Sequence, residues 1–278
     1  MRVPALLFAA SVLMAQTRPA IFLITDAEGV GGVCRQDQAE PSNREMQQLL
    51  TAEINAAVQG FYDGGAGEVI VWDGHDGSQT LSTLTIHPRA KLVMGGLGAS
   101  MLMERKFSAV AIVGQHSKAN VRGGIMAHSY SSLGIQTMKL NGKAVGEIDV
   151  IAAMAGHFAT PVIMVSGDKA AVAEMREIVP DAEFAAVKEG LGRYACISES
   201  AENAQRMIKA AAQRSVAKIA TIKPYRVPGP CTLEIEYTTR NSLPVDSELR
   251  TAAEVIDDRT IRFRGKDVLE VWQRYRTR

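Results

Sequence analysis

Two carboxylates two positions apart, Asp26 and Glu28, close the first apolar run of the chain, Ile21 to Ile24. If that run is a buried strand, both side chains leave the same side of the extended backbone and point beyond its carboxyl end. At that range they repel unless they share a proton, a basic partner or a cation, and a divalent metal suits them. The histidines separate a mere acidic turn from a site. His75 follows the apolar run Glu68 to Trp72, His116 follows Ala109 to Val113, and Glu147 follows the paired segments Gln136 to Leu140 and Lys143 to Val145. Open α/β sheets build their sites outside the carboxyl ends of the strands, so these five residues, spread over some 120 positions, are expected to converge in one crevice.

Three carboxylates and two imidazoles suit zinc, manganese or cobalt better than copper or calcium. Five ligands exceed what one open catalytic zinc accepts. They match two metals roughly 3.5–4 Å apart that share a carboxylate, with a water or hydroxide between them. Asp26 is the bridge in this reading. Such a pair lowers the pKa of bound water towards ~7 and polarises a carbonyl or phosphoryl oxygen, which is hydrolytic chemistry. His128 lies beyond His116, across a loop holding Lys118, Arg122, Gly123 and Gly124, and is the non-ligand imidazole suited to proton transfer. His87 and His157 read as packing or surface residues. Ser129 and Ser131 lack the G-x-S-x-G turn of a nucleophilic serine.

Positioning such a set requires a sheet with several strand ends on one side. Short apolar runs alternate with longer segments of helical period from Ile21 onward, the signature of an α/β fold with a largely parallel sheet flanked by helices. Helices are expected over 41–60, 97–105, 148–155, 168–178, 198–216 and 247–256, and at the C-terminus. Strands are expected at 90–94, 160–165, 184–187, 231–237 and 260–264 besides those named. Asn141-Gly142 has the chemistry of a tight hairpin turn. The expected organisation is a signal segment over 1–19, a metal-binding catalytic domain over 20–159, and a smaller, closely packed C-terminal α/β domain over 160–278.

With 278 residues, 46% of them apolar, the chain can bury a substantial core, and a net charge of +1 gives no sign of a nucleic-acid groove or polybasic membrane patch. Arg2, the apolar stretch Ala5 to Met14 and the small residue Ala15 have the layout of a secretory signal, which implies a secreted or periplasmic protein with no membrane span in its mature form. Cys34, Cys196 and Cys231 allow at most one disulfide, and no C-x-x-C pair offers a thiolate zinc site.

Taken in order, Asp26-Ala27-Glu28-Gly29, Asp73-Gly74-His75, Gly114-Gln115-His116, Met126-Ala127-His128-Ser129 and Asn141-Gly142 through Gly146-Glu147 resemble the motifs of the zinc-dependent D-aminopeptidase family, the DppA-like metallopeptidases. The resemblance runs from about Ala20 to Val271. It implies that Asp26, Glu28, His75, His116 and Glu147 bind two zinc ions per subunit and that His128 is the catalytic residue beside them. It implies removal of N-terminal D-amino acids from short peptides by a ring-stacked homodecamer. Ile24 and Gly74 depart from the family pattern, which carries a serine at each. An exported member would meet short peptides containing D-alanine.

Two other readings fit part of the pattern. A dimetal hydrolase of another amide or of a phosphoester would use the same ligands, but phosphate calls for basic residues, and Lys118 and Arg122 are the obvious ones. A secreted binding protein with a structural metal site would leave five ligands aimed at one crevice unexplained.

Overall fold

Among the described residues, seven strands form one sheet in the order β3 (Lys91–Val93), β2 (Glu68–Asp73), β1 (Ala20–Thr25), β4 (Ala109–Gln115), β7 (Val162–Asp168), β8 (Glu183–Gly192) and β9 (Ala195–Ser198). The computed structural model describes residues 17–95, 104–240 and 253–276. All neighbours in this sheet are parallel except β8 and β9, which form an antiparallel pair at the edge. β4 and β7 are buried along their whole length, which is why they read as unbroken apolar runs rather than as alternation.

The helices α1 (Gln36–Ala39), α2 (Arg44–Asp63), α3 (Glu147–His157), α4 (Lys169–Ile178), α5 (Ala201–Val216) and α6 (Val268–Arg276) fill the connections. Side-chain caps fix where three of them start: Asn43 accepts from Met46 N, Asp168 from Ala171 N and Ser200 from Asn203 N. α2 and α5 pack against each other, and α3 packs against α4 and α6.

A second, antiparallel sheet has the order β11 (Glu254–Val255), β12 (Thr260–Gly265), β10 (Cys231–Tyr237), β5 (Ile135–Leu140) and β6 (Lys143–Val145). Its exposed face explains the alternation in β10. Leu233, Ile235 and Tyr237 are buried, while Glu234 pairs with Arg262 at 2.7 Å and Glu236 with Arg259 at 2.8 Å. The Asn141-Gly142 turn joins β5 to β6 with positive φ at both residues, as expected of this dipeptide.

Both sheets take strands from either side of residue 160, so the division expected there falls inside each of them: β7 to β9 belong to the first sheet, and β5 and β6 to the second. β8 runs well past the expected Val187 and turns back as β9, a strand the sequence reading missed. The charged Lys188 and Glu189 hide the strand there. The helix expected over 247–256 lies partly outside the described residues. Its visible end is β11 instead, because Glu254 and Val255 pair with Arg262 and Ile261. Most of the expected helix at 97–105 and most of the signal segment also fall outside the described residues, and among those described no helix is long and apolar enough to cross a membrane.

Gly114, inside β4, has φ +79°, and a Cβ there would lie 2.0 Å from Asp26 O. Gly142 has the same φ with open space around it. Gly142→Ala is therefore expected to cost about 1–2 kcal/mol for the left-handed backbone alone. Gly114→Ala should cost roughly 1–3 kcal/mol more, because it also forces β4 away from Asp26. Urea unfolding of the two variants measures the difference, and equal losses would remove the close contact as a cause.

Candidate metal centre and its cleft

The sheet reverses its winding at β1, with β2 and β3 to one side and β4, β7 and β8 to the other, and such a reversal opens a crevice at the carboxyl ends of the strands. Every residue singled out from the sequence for the site is delivered there. Asp26 leaves β1 with its backbone N–H bonded to Val113 O at 2.9 Å, which ties the turn to the neighbouring strand. Glu28 follows, His75 comes from the turn after β2, and His116 follows β4 directly. Glu147 arrives from the second sheet as the first residue of α3, where the helix N-terminus favours an anionic side chain.

These groups crowd together. His75 Nδ1 is 3.1 Å from Asp26 Oδ1 and 3.2 Å from Glu28 Oε2. His116 Nε2 is 3.4 Å from Asp26 Oδ2 and 3.2 Å from Glu147 Oε2. Asp26, Glu28 and His75 form one set of possible ligands within 4.8 Å of one another, and Asp26, His116 and Glu147 form a second. Asp26 belongs to both.

Each imidazole is oriented from behind. His75 Nε2 donates to Ala39 O at 2.7 Å, His116 Nδ1 to Ser117 O at 2.9 Å and His128 Nδ1 to Met126 O at 2.8 Å. These bonds select the tautomer that leaves the other ring nitrogen free to face the carboxylates, the arrangement usual behind metal-ligating histidines. His128 stacks on His116 with ring centroids 4.0 Å apart, and its Nε2 lies 4.0 Å from Glu28 Oε1. Glu28, His116 and His128 make a third possible ligand set.

Electrostatics explain why this cluster needs cations. Burial and the Glu28 charge push the Asp26 carboxyl well above its ordinary value. Burial opposes charge on His75, yet the two carboxylates against it push its imidazole up to about 12. His116 is raised in the same way, chiefly by Glu147, while Glu147 is held down to about 2 against the effect of burial. Without an ion the carboxylates thus hold protons on the imidazoles. Glu28 Oε2 is buried with His75, 3.2 Å away, as its one neighbour of opposite charge. A divalent cation would relieve the crowding, since it would replace the ring protons and neutralise the carboxylates. The donor set fits.

Three contributors escaped the sequence reading. Gln115 Nε2 donates to Asp26 Oδ2 and to Glu147 Oε2, each at 2.8 Å, so one side-chain amide spans the two carboxylates. Tyr130 N donates to Glu147 Oε1 at 2.8 Å, and the Tyr130 ring packs on Trp272 of α6 at 4.8 Å between centroids. Lys188 of β8 is buried and donates to Glu28 O, to Val30 O at 2.9 Å and to Val33 O. The signal available for Lys188 was a lone cation following the apolar Phe184 to Val187.

The carboxylates and imidazoles of the cluster, with Gln115 and Tyr130, line a cleft of about 290 Å³ whose other walls include Trp72, Val150, Ile151, Met154 and Trp272. Lys118 and Arg122 do not line it, and Lys118 turns towards Glu174 at 3.5 Å and Asp149 at 3.9 Å. Ser129 donates to Val145 O at 3.1 Å and is fully occupied in the backbone around it. His87 bonds Gln59 at 3.1 Å and His157 packs on Phe158, both away from the cleft, as expected from the sequence.

The family model described as D-aminopeptidase, peptidase family M55, matches residues 20–277. The chain belongs to the D-aminopeptidase family. It is therefore an enzyme, a hydrolase of that peptidase family. A D-aminopeptidase of Bacillus subtilis strain 168 is 28% identical over 265 residues, covering 91% of this chain and 94% of the relative. A solved structure described as the Zn-dependent D-aminopeptidase DppA from Bacillus subtilis, a self-compartmentalizing protease, superposes with a TM-score of 0.83. That match is 26% identical and covers 92% of this chain and 95% of the other. The family resemblance and the α/β fold read from the sequence are both borne out. Of the departures from the family pattern, Gly74 has a local cause, since a side chain there would meet Thr25 O at 2.4 Å.

Two variants test how the ligand-bearing turn of this family member is held. Lys188→Met strips a donor from three carbonyls, each worth roughly 1–3 kcal/mol when left unsatisfied, and should lower both unfolding stability and metal retention. Unchanged retention would separate Lys188 from the site. Glu53 of α2 accepts from Gly31 N at 2.8 Å, and burial raises its carboxyl from 4.5 to about 7. The folded chain therefore binds more protons than the unfolded chain between those values, and stability falls as pH rises through that window. In Glu53→Gln the loss of stability from pH 4.5 to 7, followed by urea midpoints, should be smaller than in the wild type.

Proposed function

We propose that this chain is a dizinc aminopeptidase that removes N-terminal amino acids, D-configured ones by preference, from short peptides. The observation that carries the reading is Asp26, which stands in both sets of possible ligands, Asp26–Glu28–His75 and Asp26–His116–Glu147. In this assignment Asp26, Glu28 and His75 would hold one metal ion, and Asp26, His116 and Glu147 would hold the other. Two zinc ions bound there supply Lewis-acid polarisation of the scissile carbonyl and a water of lowered pKa. Zinc and the D-preference are suggested by the description of the Bacillus subtilis relative and by the family description.

The chain's own residues then do the following. Gln115 donates to both the Asp26 and the Glu147 carboxylate and holds them together. His128 keeps Nδ1 committed to Met126 O and presents Nε2 to the cleft side of Glu28. Burial lowers the pKa of this imidazole from its ordinary value, so the neutral ring can accept at Nε2 the proton released by the attacking water and pass it to the leaving amine. The apolar wall of Val150, Ile151 and Met154 receives the substrate's side chains and excludes water from that side.

A second reading is favoured by the set Glu28–His116–His128, in which His128 is itself a ligand. The phosphoester alternative loses support because Lys118 is turned away to Glu174. Assembly into a closed oligomer is suggested by the self-compartmentalizing relative, and a decamer by the motif resemblance. Export to the periplasm rests on the signal-like segment at 1–19. It would bring the enzyme to short peptides containing D-alanine.

Elemental mass spectrometry of the zinc-replete protein is expected to find close to two zinc ions per chain, and Asp26→Ala to lose both. His128→Ala should retain the metal and lose on the order of 10²-fold or more in kcat. Loss of one zinc in that variant would instead make His128 a ligand. Metal content indifferent to Asp26 would sink the bridged site.

A further inference from the structure

The cleft has one polarity that the proposed chemistry does not use. Among the described residues its charged walls are Asp26, Glu28, Asp76 and Glu147, all acidic, and a single permanent cation, Arg276 at the end of α6. Arg276 has no ion-pair partner among the described residues, and its charge acts on the half-buried Tyr130 ring, whose backbone N–H donates to Glu147. A guanidinium on the wall of an otherwise acidic cleft is a ready receptor for a carboxylate, and Arg is the side chain best shaped to grip one with two parallel bonds.

The shape of the cleft supports the same assignment. Glu147, Val150, Ile151 and Met154 sit at spacings of three, four and seven on α3, so they share one helix face. That strip extends for about 10 Å from the carboxylate cluster at 1.5 Å rise per residue. An extended peptide advances roughly 3.3–3.6 Å per residue, so the strip is two to three residues long. α6 packs against α3 and adds Trp272 and Arg276, one helical turn apart, to the same cleft.

We propose that Arg276 is a specificity residue that binds the free α-carboxylate of a di- or tripeptide whose N-terminal residue lies at the carboxylate and histidine cluster. The substrate class is the zwitterionic short peptide. A longer chain, or one blocked at its C-terminus, does not bring a carboxylate to this position. The inference rests on the aminopeptidase reading above, and its test is built so that the two fail separately.

The experiment uses the zinc-loaded enzyme and a matched pair of substrates, D-alanyl-D-alanine and its C-terminal amide, with cleavage events counted by mass spectrometry as one per two D-alanines released from the acid and one per D-alanine released from the amide. The wild type is expected to favour the free acid over the amide by about tenfold or more in kcat/KM, with the difference in KM. Arg276→Gln should raise KM for the acid and bring the acid-to-amide ratio near one, while Arg276→Lys, which keeps the charge without the fork, should fall between. Zinc content of the variants distinguishes a lost contact from a damaged site. If the amide is cleaved as well as the acid by the wild type, or if the ratio is the same in Arg276→Gln, the carboxylate assignment is overturned and the peptidase reading stands. If neither peptide releases D-alanine, the substrate reading itself fails and the role of Arg276 falls with it.

Discussion

The structure is arranged around one electrostatic constraint: Asp26 and Glu28 are buried, Glu147 is nearly so, and the three carboxylates repel one another across two imidazoles, Asp26 lying against both, Glu28 against His75 and Glu147 against His116. Charges taken out of water must be paired, or they revert to neutral forms. Protons on His75 and His116 are a partial answer, as the raised values of both rings show. They leave three carboxylates to share two ring protons, with Glu28 Oε2 buried against His75 at 3.2 Å and no other partner. Divalent cations satisfy all three carboxylates at once. Metal binding of this kind is bound to proton release, because the ring protons of His75 and His116 must leave for the imidazoles to act as ligands.

Holding like charges in contact demands a rigid frame, and the frame is mostly backbone. Asp26 is tied to β4 through Val113 O, and the chain from Glu28 to Val33 closes around the Lys188 ammonium, which has three N–H groups and three carbonyl acceptors. The Lys188 charge is therefore met by dipoles rather than by a carboxylate, and the site's own carboxylates stay free for a metal. Gln115 acts on the opposite side with a neutral amide, whose two N–H groups quiet Asp26 and Glu147 without neutralising them. Neutral or dipolar supports behind charged ligands keep the negative potential in the crevice, where cations are needed.

The candidate ligands were legible because each stands close after an apolar run, and parallel strands leave one place for such residues to meet. Asp26, Glu28, His75 and His116 needed only that rule, whereas Glu147 follows the antiparallel hairpin of the other sheet, and the five are spread over some 120 positions. Lys188 was not legible. A lysine after an apolar run reads as the end of a strand, whereas β8 continues to Gly192 and turns its cation inward to partners some 160 residues away. The partition of the chain was hidden for a related reason. β5 and β6 leave the first sheet's sequence between β4 and β7 to join β10, and nothing local in a hairpin says which distant strand will pair with it. Hydrophobic period reports burial and element type; it does not report partners.

That partition bears on how the site comes into being. Four of the five expected ligands leave strands of the parallel sheet, but Glu147 is carried by α3 at the end of the hairpin of the other sheet. The second set, Asp26–His116–Glu147, therefore exists only when the two sheets are docked, while Asp26–Glu28–His75 needs the first sheet alone. The cleft wall has the same dependence, because Val150, Ile151 and Met154 lie on α3 and are backed by α6 of the second sheet's layer. Chemistry and substrate contact thus share one structural condition. A chain whose sheets have not docked keeps a three-residue set but lacks the wall that would hold a peptide against it, so a partly folded molecule is not a hydrolase with loosened specificity. The docking of Glu147 and its helix joins ligand completion to the formation of the cleft, and Tyr130, bonded to Glu147 and packed on Trp272, is the residue through which the two are mechanically one.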